Sequence, residues 1–305
     1  MTLEQLRVFV AVAEHLHMTR AAKALNMTQS AASAAVAALE ARHGARLFDR
    51  VGRGLALSEA GRAFLPAARA VLTSAEAAAQ TLDDLAGLRR GALAVAASQT
   101  VASYWLPARL ARFALAYPGV KTRLTVGNTA QAAALVAQGA CALAVVEGVV
   151  DSPVLAGRKV GGDRVAVYAS PAHLLAHTPV TAPALQQAAW VQREPGSGTR
   201  AAAERALQAR GVDPAALRVA LELPSNEAVL TAVADGQAVA AVSELAARPH
   251  VEAGRVVALP FDLGARDFVL LSHKERGLSA AAGAFVASLS ATGLDRPARR
   301  KAPHL

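Results

Sequence analysis

The chain has 305 residues, a formal net charge of +9 and 53% apolar residues, an excess carried by alanine. That length and apolarity exclude a disordered protein and leave room for two domains with sizeable cores, while the positive charge favours polyanionic partners. Cys141 is the single cysteine, which excludes an internal disulfide and a cysteine-based zinc site.

Taken in order, Leu3, Leu6, Val10 and Ala13, flanked by Phe9 and Leu16, predict an amphipathic first helix. Glu4, Arg7 and Glu14 interrupt any basic-then-apolar leader in the same stretch. Thr19 is positioned to cap a short helix with Ala21, Ala22 and Leu25 on its apolar side; Asn26-Met27 breaks it, and Thr28 is a second N-cap. In the helix that follows, Ala32, Val36 and Leu39 face inward. Gln29, Ser30 and Ser33 lie opposite, with Ala34 and Ala37 beside them. Two short helices joined by a tight turn, the second slim and polar on its outer face, describe a helix-turn-helix suited to a DNA major groove. An ordinary helical hairpin with a solvated face has the same local pattern.

Gly44 is placed to end that helix. Leu47-Phe48 and Leu55-Ala56-Leu57 predict two short strands turned at Gly52-Arg53-Gly54. Arg50 and Arg53 near the tip make this hairpin a wing for phosphates or a minor groove, or else a structural hairpin with exposed arginines. Residues 1–60 hold seven basic and five acidic residues, yet Arg42, Arg46, Arg50 and Arg53 cluster directly after the second motif helix. Ser58 then caps a long helix running to about Leu88, with Pro66 early in it. Phe64, Ala68, Val71, Ala75, Ala78, Leu82 and Leu85 alternate spacings of four and three, the seam of two pairing helices or the inner face of a helix packed on its own domain. Gly87–Gly91 is the expected hinge.

From Ala92 the pattern becomes α/β. Strands are expected at Leu93–Ala97, Val120–Val126, Ala142–Val146, Val154–Val160, Val165–Ala169, Trp190-Val191, Arg218–Leu221, Ala238–Val242 and Phe268–Leu271. Helices are expected from Ser98 through Ala116, from Gly127 to Gln138, from Arg200 to near Gly211, and at Asn226–Ala234 and Ser279–Leu289. This alternation implies mainly parallel sheets covered on both faces. The Ala-rich stretch 124–146 comes nearest to spanning length but divides into strand, helix and strand, so no membrane partner and a cytoplasmic location are expected. Arg296, Arg299, Arg300 and Lys301 make 296–305 a solvated basic tail.

Three strand-to-helix turns carry hydroxyls or amides: Ser98/Thr100, Asn128/Thr129 and Ser197/Thr199. Each is an N-cap by itself; together they suit a small anion, because free N–H groups and helix dipoles favour negative charge at such turns. Arg193 either supplies charge there or lies on the surface. Glu147, at a strand end, bonds a ligand hydroxyl, a protonated ligand oxygen or neighbouring backbone. Catalytic patterns are missing: Ser197 lies in G-S-G rather than G-x-S-x-G, and His173/His177 lack the H-E-x-x-H context of a metal site. An enzyme or a solute-binding protein with an unrelated helical N-terminus is the rival reading, and no metal or cofactor is expected.

The succession A-A-K-A-L-N-M-T-Q-S-A-A-S-A-A-V-A-A-L-E, L-F-D-R and L-S-E-A-G, followed by Y-P-G-V at Tyr117–Val120 and S-N-E-A-V at Ser225–Val229, resembles a LysR-type transcriptional regulator over essentially the whole chain. The turn R-E-P-G-S-G-T-R at Arg193–Arg200 is similar to the branch of Calvin-cycle and sulfur-metabolism regulators, and S-Q-T-V-A-S-Y-W-L-P at Ser98–Pro107 to the cysteine-regulon members. The resemblance implies an α+β multidomain protein: a winged helix-turn-helix (1–58), a linker helix and hinge (59–90) and a two-subdomain effector domain (91–295) like type II periplasmic binding proteins. Its subdomains would be 92–163 plus 267–295, and 164–266.

It further implies contacts to promoter DNA through Thr28, Gln29, Ser30, Ser33, Arg50 and Arg53, and to an effector through Ser98, Thr100 and Ser197, with Thr199 adjacent in the same turn. Arg20 joins the DNA-contact candidates, and Asn128, Thr129, Glu147 and Arg193 the effector candidates, from the residues themselves. Pairing through the linker helix would give a dimer and then a tetramer, with RNA polymerase as a further partner. The expected effector is a sulfur oxyanion first, then a phosphorylated metabolite or a carboxylate. One departure stands out. Ala34 follows the reading helix's serine where many relatives carry arginine, and losing a bidentate arginine removes roughly 1–3 kcal/mol of base discrimination.

Overall fold

The computed structural model describes residues 1–51, 54–84 and 91–291. Three helices form the head: α1 (Leu3–His15), α2 (Met18–Ala24) and α3 (Gln29–His43). Thr2 closes α1 with a capping box, and Thr28 caps α3 by accepting from the Ala31 N–H. His17, not Thr19, caps α2: its Nδ1 accepts from the Arg20 N–H, and Thr19 lies inside the first turn. Asn26 takes a left-handed φ of 54°, which ends α2 sharply, and Gly44 does the same for α3 at 61°.

Ala32, Val36 and Leu39 are buried as the spacing requires, but α1 departs from its expected stripe. Leu3 is exposed, while Val8 and Val12 are fully buried. The reason is that α1 is gripped on two sides. Val8 and Val12 pack with Ala21, Ala22, Ala32 and Val36, whereas Leu6 and Phe9 pack with Leu39, Leu47 and Ala68.

The hairpin β1 (Phe48–Val51) and β2 (Gly54–Leu57) pairs antiparallel from Phe48↔Leu57 to Val51↔Gly54. Glu40 fixes it to α3, its Oε1 accepting from the N–H groups of Leu47 (2.7 Å) and Phe48 (3.3 Å). Helix α4 (Glu59–Asp84) follows, and the Ser58 hydroxyl accepts from the Gly61 N–H at its start. Phe64 and Ala68 are spent on the head, with Phe64 5.1 Å from the Phe9 ring, so the seam's first positions do not face a partner helix. Farther along, Val71 and Ala78 are exposed; the Leu82 side chain, Leu85 and the hinge lie outside the described residues.

The remaining residues build one eight-stranded sheet in the order β4-β3-β5-β10-β6-β9-β7-β8. Its strands are β3 (Gly91–Ser98), β4 (Val120–Gly127), β5 (Leu143–Glu147), β6 (Leu155–Ala169), β7 (Ala189–Arg193), β8 (Arg218–Leu223), β9 (Ala238–Ser243) and β10 (Val257–His273). Parallel pairing holds at each end, β3 with β4 and β5, and β7 with β8 and β9. The centre is antiparallel instead: β10 on β5, β6 on β9, and β6 on β10 from Leu155↔His273 to Ala169↔Val257. What local patterning divides into strands 154–160 and 165–169 is one strand of 15 residues, and 268–271 is the end of one of 17.

Helices α5 (Pro107–Ala116), α6 (Thr129–Ala137) and α11 (Ala280–Ala291) accompany the β3–β5 end; α7 (Ala182–Gln187), α8 (Gly198–Gln208), α9 (Asn226–Asp235) and α10 (Glu244–Glu252) accompany the other. Helices α7 and α10 escape the sequence pattern. A π-turn at Val101–Trp105 precedes α5, because Pro107 has no N–H and the Leu106 N–H reaches back to the Val101 carbonyl. Apolar clusters centred on Trp105, Phe113, Phe268 and Phe285 at one end, and on Trp190, Leu185 and Leu207 at the other, fill the layers.

Candidate functional site

Two polar regions stand out, one on the head and one inside the sheet domain. On the head, Gln29, Ser30, Ala34 and Ala37 are exposed along α3, and Ser33 is half-buried. The Thr28 hydroxyl lies 3.1 Å from that of Ser30 while capping the helix, so it both orders the first turn and lies on its polar face. Arg20 is exposed on α2, Arg50 on β1, and Arg42 and Arg46 between them in sequence order. Arg53 lies outside the described residues. Glu40 holds α3 and the hairpin together, so the polar face and the arginine-bearing strand are fixed to each other.

Inside the sheet domain the two central strands place Arg266 opposite Asp163. Arg266 donates Nε to Asp163 Oδ1 (2.6 Å) and Nη2 to Oδ2 (3.0 Å), a bidentate pair with side chains only 4% and 2% exposed. Ser243 donates to the same carboxylate. Burial alone would lower the guanidinium's pKa, but the bonds to Asp163 and the nearby charges of Glu147 and Asp163 outweigh it and raise it, so the group stays charged.

The three hydroxyl-bearing turns converge on this cation. Its Nη1 donates to Thr199 Oγ1 (2.9 Å), and its Nη2 lies 3.5 Å from Thr100 Oγ1. Thr100 Oγ1 also accepts from Asn226 Nδ2 (3.0 Å), and Asn226 Oδ1 accepts from Arg193 Nη1 (2.8 Å). Arg193 is therefore not a surface arginine. It is buried, and Glu194 takes the rest of its guanidinium at 2.8 and 3.0 Å. Thr129 donates to Glu147 Oε2 (3.2 Å), Asn128 caps α6 and reaches the Pro195 carbonyl (3.4 Å), and Ser197 caps α8. Ser98 Oγ and Glu147 Oε1 are buried without a hydrogen-bond partner.

Of the eight residues singled out in the sequence, Thr100, Thr199 and Glu147 lie directly beside Arg266, and Thr129 and Arg193 join them through Glu147 and Asn226. Arg266 and Asp163 carry no local motif; each stands next to another charged residue, Asp267 or Arg164, that is half exposed, so nothing local marks which charge is buried. Thr100 and Thr199 are fully buried and Ser98 nearly so. A cavity of about 800 Å³ opens beside Thr129 and Glu147, lined also by Gly196, Ser197, Arg200 and Arg205 among others.

His173 and His177 have structural partners, the Leu175 N–H and the Pro171 carbonyl. Among the described residues no group of three or more His, Cys, Asp or Glu is placed to hold a metal, and no helix is long and apolar enough to cross a membrane.

Residues 3–62 match the family described as bacterial regulatory helix-turn-helix protein, lysR family, and residues 86–293 match the LysR substrate binding domain. The chain is 35% identical over 288 residues to a RuBisCO operon transcriptional regulator of Allochromatium vinosum, covering 93% of this chain and 94% of that one. It is 33% identical over 294 residues to the HTH-type transcriptional regulator CbbR of Rhodospirillum rubrum, covering 95% and 96%. Among solved structures, the CcmR regulatory domain of Synechocystis in complex with 2-PG superposes with a TM-score of 0.62 at 27% identity, covering 68% of this chain and all of that one. The chain belongs to the LysR family, and is a DNA-binding transcriptional regulator with an effector-binding domain rather than an enzyme.

Proposed function

We propose that this regulator responds to a small anion bound between two halves of the sheet domain, 92–163 plus 267–295 and 164–266, in a cytoplasmic protein that pairs through α4 and assembles as a tetramer. The observation that carries this reading is the meeting of Thr100 and Thr199, from opposite ends of the sheet, on the Arg266 guanidinium. Both hydroxyl oxygens accept from nitrogen donors, which leaves their protons free to point at an incoming oxygen. An anion seated there would favour the closed arrangement, and only such differential affinity shifts an equilibrium. Closure would re-angle α4, which is tied to this domain by Arg69 Nη1 to Gln138 Oε1 (2.9 Å) and Thr73 Oγ1 to the Gly139 carbonyl (2.9 Å). The open Val71 and Ala78 positions of α4 suit a second copy's helix.

A small phosphorylated metabolite replaces the sulfur oxyanion as the first choice. Support comes from relatives that regulate RuBisCO operons and from the 2-PG complex of one regulatory domain. DNA contacts are proposed through Arg20, Thr28, Gln29, Ser30, Ser33, Arg50 and Arg53. Specificity then rests on Gln29, the wing and DNA shape, because Ala34 offers no hydrogen bond.

Fluorescence anisotropy with DNA upstream of the gene, against a scrambled duplex across a salt series, tests the DNA half of this reading. Tight binding to the upstream duplex alone is expected, weakened about 5- to 100-fold by Gln29→Ala. Equal, steeply salt-dependent binding to both duplexes would mean that only charge is read. For the effector half, a panel of phosphorylated metabolites, sulfate, sulfite and thiosulfate identifies the anion that alters DNA binding, and the Ser98→Ala/Thr100→Ala variant should lose that response while still binding DNA. An unchanged response in that variant would remove the anion site.

A further inference from the structure

The charge balance of the buried cluster says what kind of anion it admits. One guanidinium, Arg266, stands between two carboxylates, Asp163 and Glu147, with side chains 4%, 2% and 3% exposed. Asp163 is satisfied by Arg266 and Ser243. Glu147 is not. Thr129 donates to its Oε2, but Oε1 has no hydrogen-bond partner and lies 3.8 Å from Arg266 Nη2, too far for a hydrogen bond. Arg193, the other buried cation here, is bound by Glu194 and Asn226.

These three side chains therefore carry one net negative charge and are almost wholly buried, while Glu147 also borders the open cavity. An oxyanion made only of acceptors would face Glu147 Oε1 lone pair to lone pair, in surroundings where like charges repel strongly. Two features nonetheless favour an anion. Helices α6 and α8 begin at this point: a Cβ on Gly198 would meet Thr129 Oγ1 and lie 3.0 Å from Glu147 Cβ, so both N-termini lie against Glu147. Ser98 Oγ, on the strand beside β5, is a second buried oxygen with no partner and can donate. An anion that brings its own O–H would supply the donor that Glu147 Oε1 lacks and accept from the donors around it.

Resting on the anion site proposed above, we propose that Glu147 selects effectors bearing a hydrogen-bond donor beside their anionic oxygens, as a protonated phosphate group does, and rejects fully deprotonated oxyanions such as sulfate. The ligand O–H would donate to Glu147 Oε1, while its remaining oxygens accept from Thr100, Thr199, Ser98 and the helix N-termini. Glu147 is then a specificity-determining residue for the effector, and the phosphorylated class is preferred on the chemistry of this chain's own side chains.

Hydrogen phosphate and sulfate match in shape and differ in the proton, which makes them the direct probes. Calorimetric titration of the full-length protein near pH 7.5 with inorganic phosphate, methyl phosphate and sulfate should show phosphate preferred over sulfate by roughly 100-fold or more, the scale on which a buried hydrogen-bonding group discriminates. Methyl phosphate, with a second pKa of about 6, should take up close to one proton on binding, read by repeating the titration in buffers of different ionisation enthalpy. A preference for methyl phosphate over inorganic phosphate would assign the effector as a phosphate ester, and the reverse as the free ion. Glu147→Gln, whose amide offers a donor as well as an acceptor, should bring sulfate to within about tenfold of phosphate and abolish the proton uptake. Sulfate bound as tightly as phosphate by the unsubstituted protein would overturn the proposal and leave the anion site standing; that ratio decides even if the variant fails to fold. No binding of any of the three would overturn both.

Discussion

Asp163→Ala is expected to lower the stability of the sheet domain by about 3–5 kcal/mol, the cost of leaving a buried charge without its partner. The substitution removes both short bonds to Arg266 and the acceptor of Ser243, and Glu147 at 3.8 Å does not replace them. Arg266 cannot escape by deprotonating, because a guanidinium keeps its proton under all ordinary conditions. Nor can it swing into water without parting β6 and β10, the two strands that hold the ends of the sheet together. The urea midpoint of the full chain's sheet-domain transition measures the effect, with domain-resolved probes because a multidomain chain need not unfold in one step. A second variant separates charge from packing. Asp163→Leu, Arg266→Met and Glu147→Gln together replace all three charges by neutral groups, and such replacements are often neutral; the triple variant should recover most of the loss while abolishing the effector response. A midpoint for Asp163→Ala equal to that of the unsubstituted chain would show that the pair carries no stability.

How much of this was legible in the sequence follows from how local each signal is. The head was readable because its determinants are neighbours: Thr28 three residues before the N–H it caps, Ala32, Val36 and Leu39 at helical spacing, and Gly44 where a left-handed residue must end the helix. The misassigned cap at Thr19 shows the limit of residue preference, since the imidazole Nδ1 of His17 accepts the same bond that a hydroxyl would. The buried face of α1 was only half readable, because a helix packed on two sides has no single stripe. Strands β6 and β10 were broken into pieces by Gly161-Gly162, Pro260 and Gly264. Those glycines serve contacts invisible locally: a Cβ on Gly162 would lie 2.5 Å from the Arg266 carbonyl oxygen, and one on Gly161 2.8 Å from Trp105 Nε1.

The site divides in the same way. Hydroxyls at strand-to-helix turns announce themselves by position, and all three such turns meet. Arg266 and Asp163 are 103 residues apart, and only the register of two long antiparallel strands brings them face to face. Arg193 stands out in the sequence beside a glycine-rich turn, yet its charge is taken by its own neighbour Glu194.

The same close approach that joins the turns predicts the largest effect on the effector. Gly198→Ala should weaken effector binding by about 5- to 150-fold while leaving DNA binding by the head intact. Gly198 is the first residue of α8 and its φ is not left-handed, so the helix itself accepts alanine there. The other half of the domain does not. The added methyl would lie 2.4 Å from Thr129 Oγ1 and 2.6 Å from the Glu147 carbonyl oxygen. A hydroxyl can rotate, but a backbone carbonyl in β5 cannot withdraw without moving its strand, so relief comes from separating the two ends of the sheet. Overpacking of this kind costs about 1–3 kcal/mol, and the cost falls on the closed arrangement alone. Apparent affinity scales with the fraction of molecules able to close, so the same energy appears as lost effector binding. Gly277→Ala is the control, because nothing lies within 4 Å of the methyl added there. Titrations of both variants with the phosphate probes measure the effect. Equal affinities for Gly198→Ala and Gly277→Ala would mean that the contact at Gly198 survives in the effector-free ensemble without closing on anything, and that the anion enters by another route.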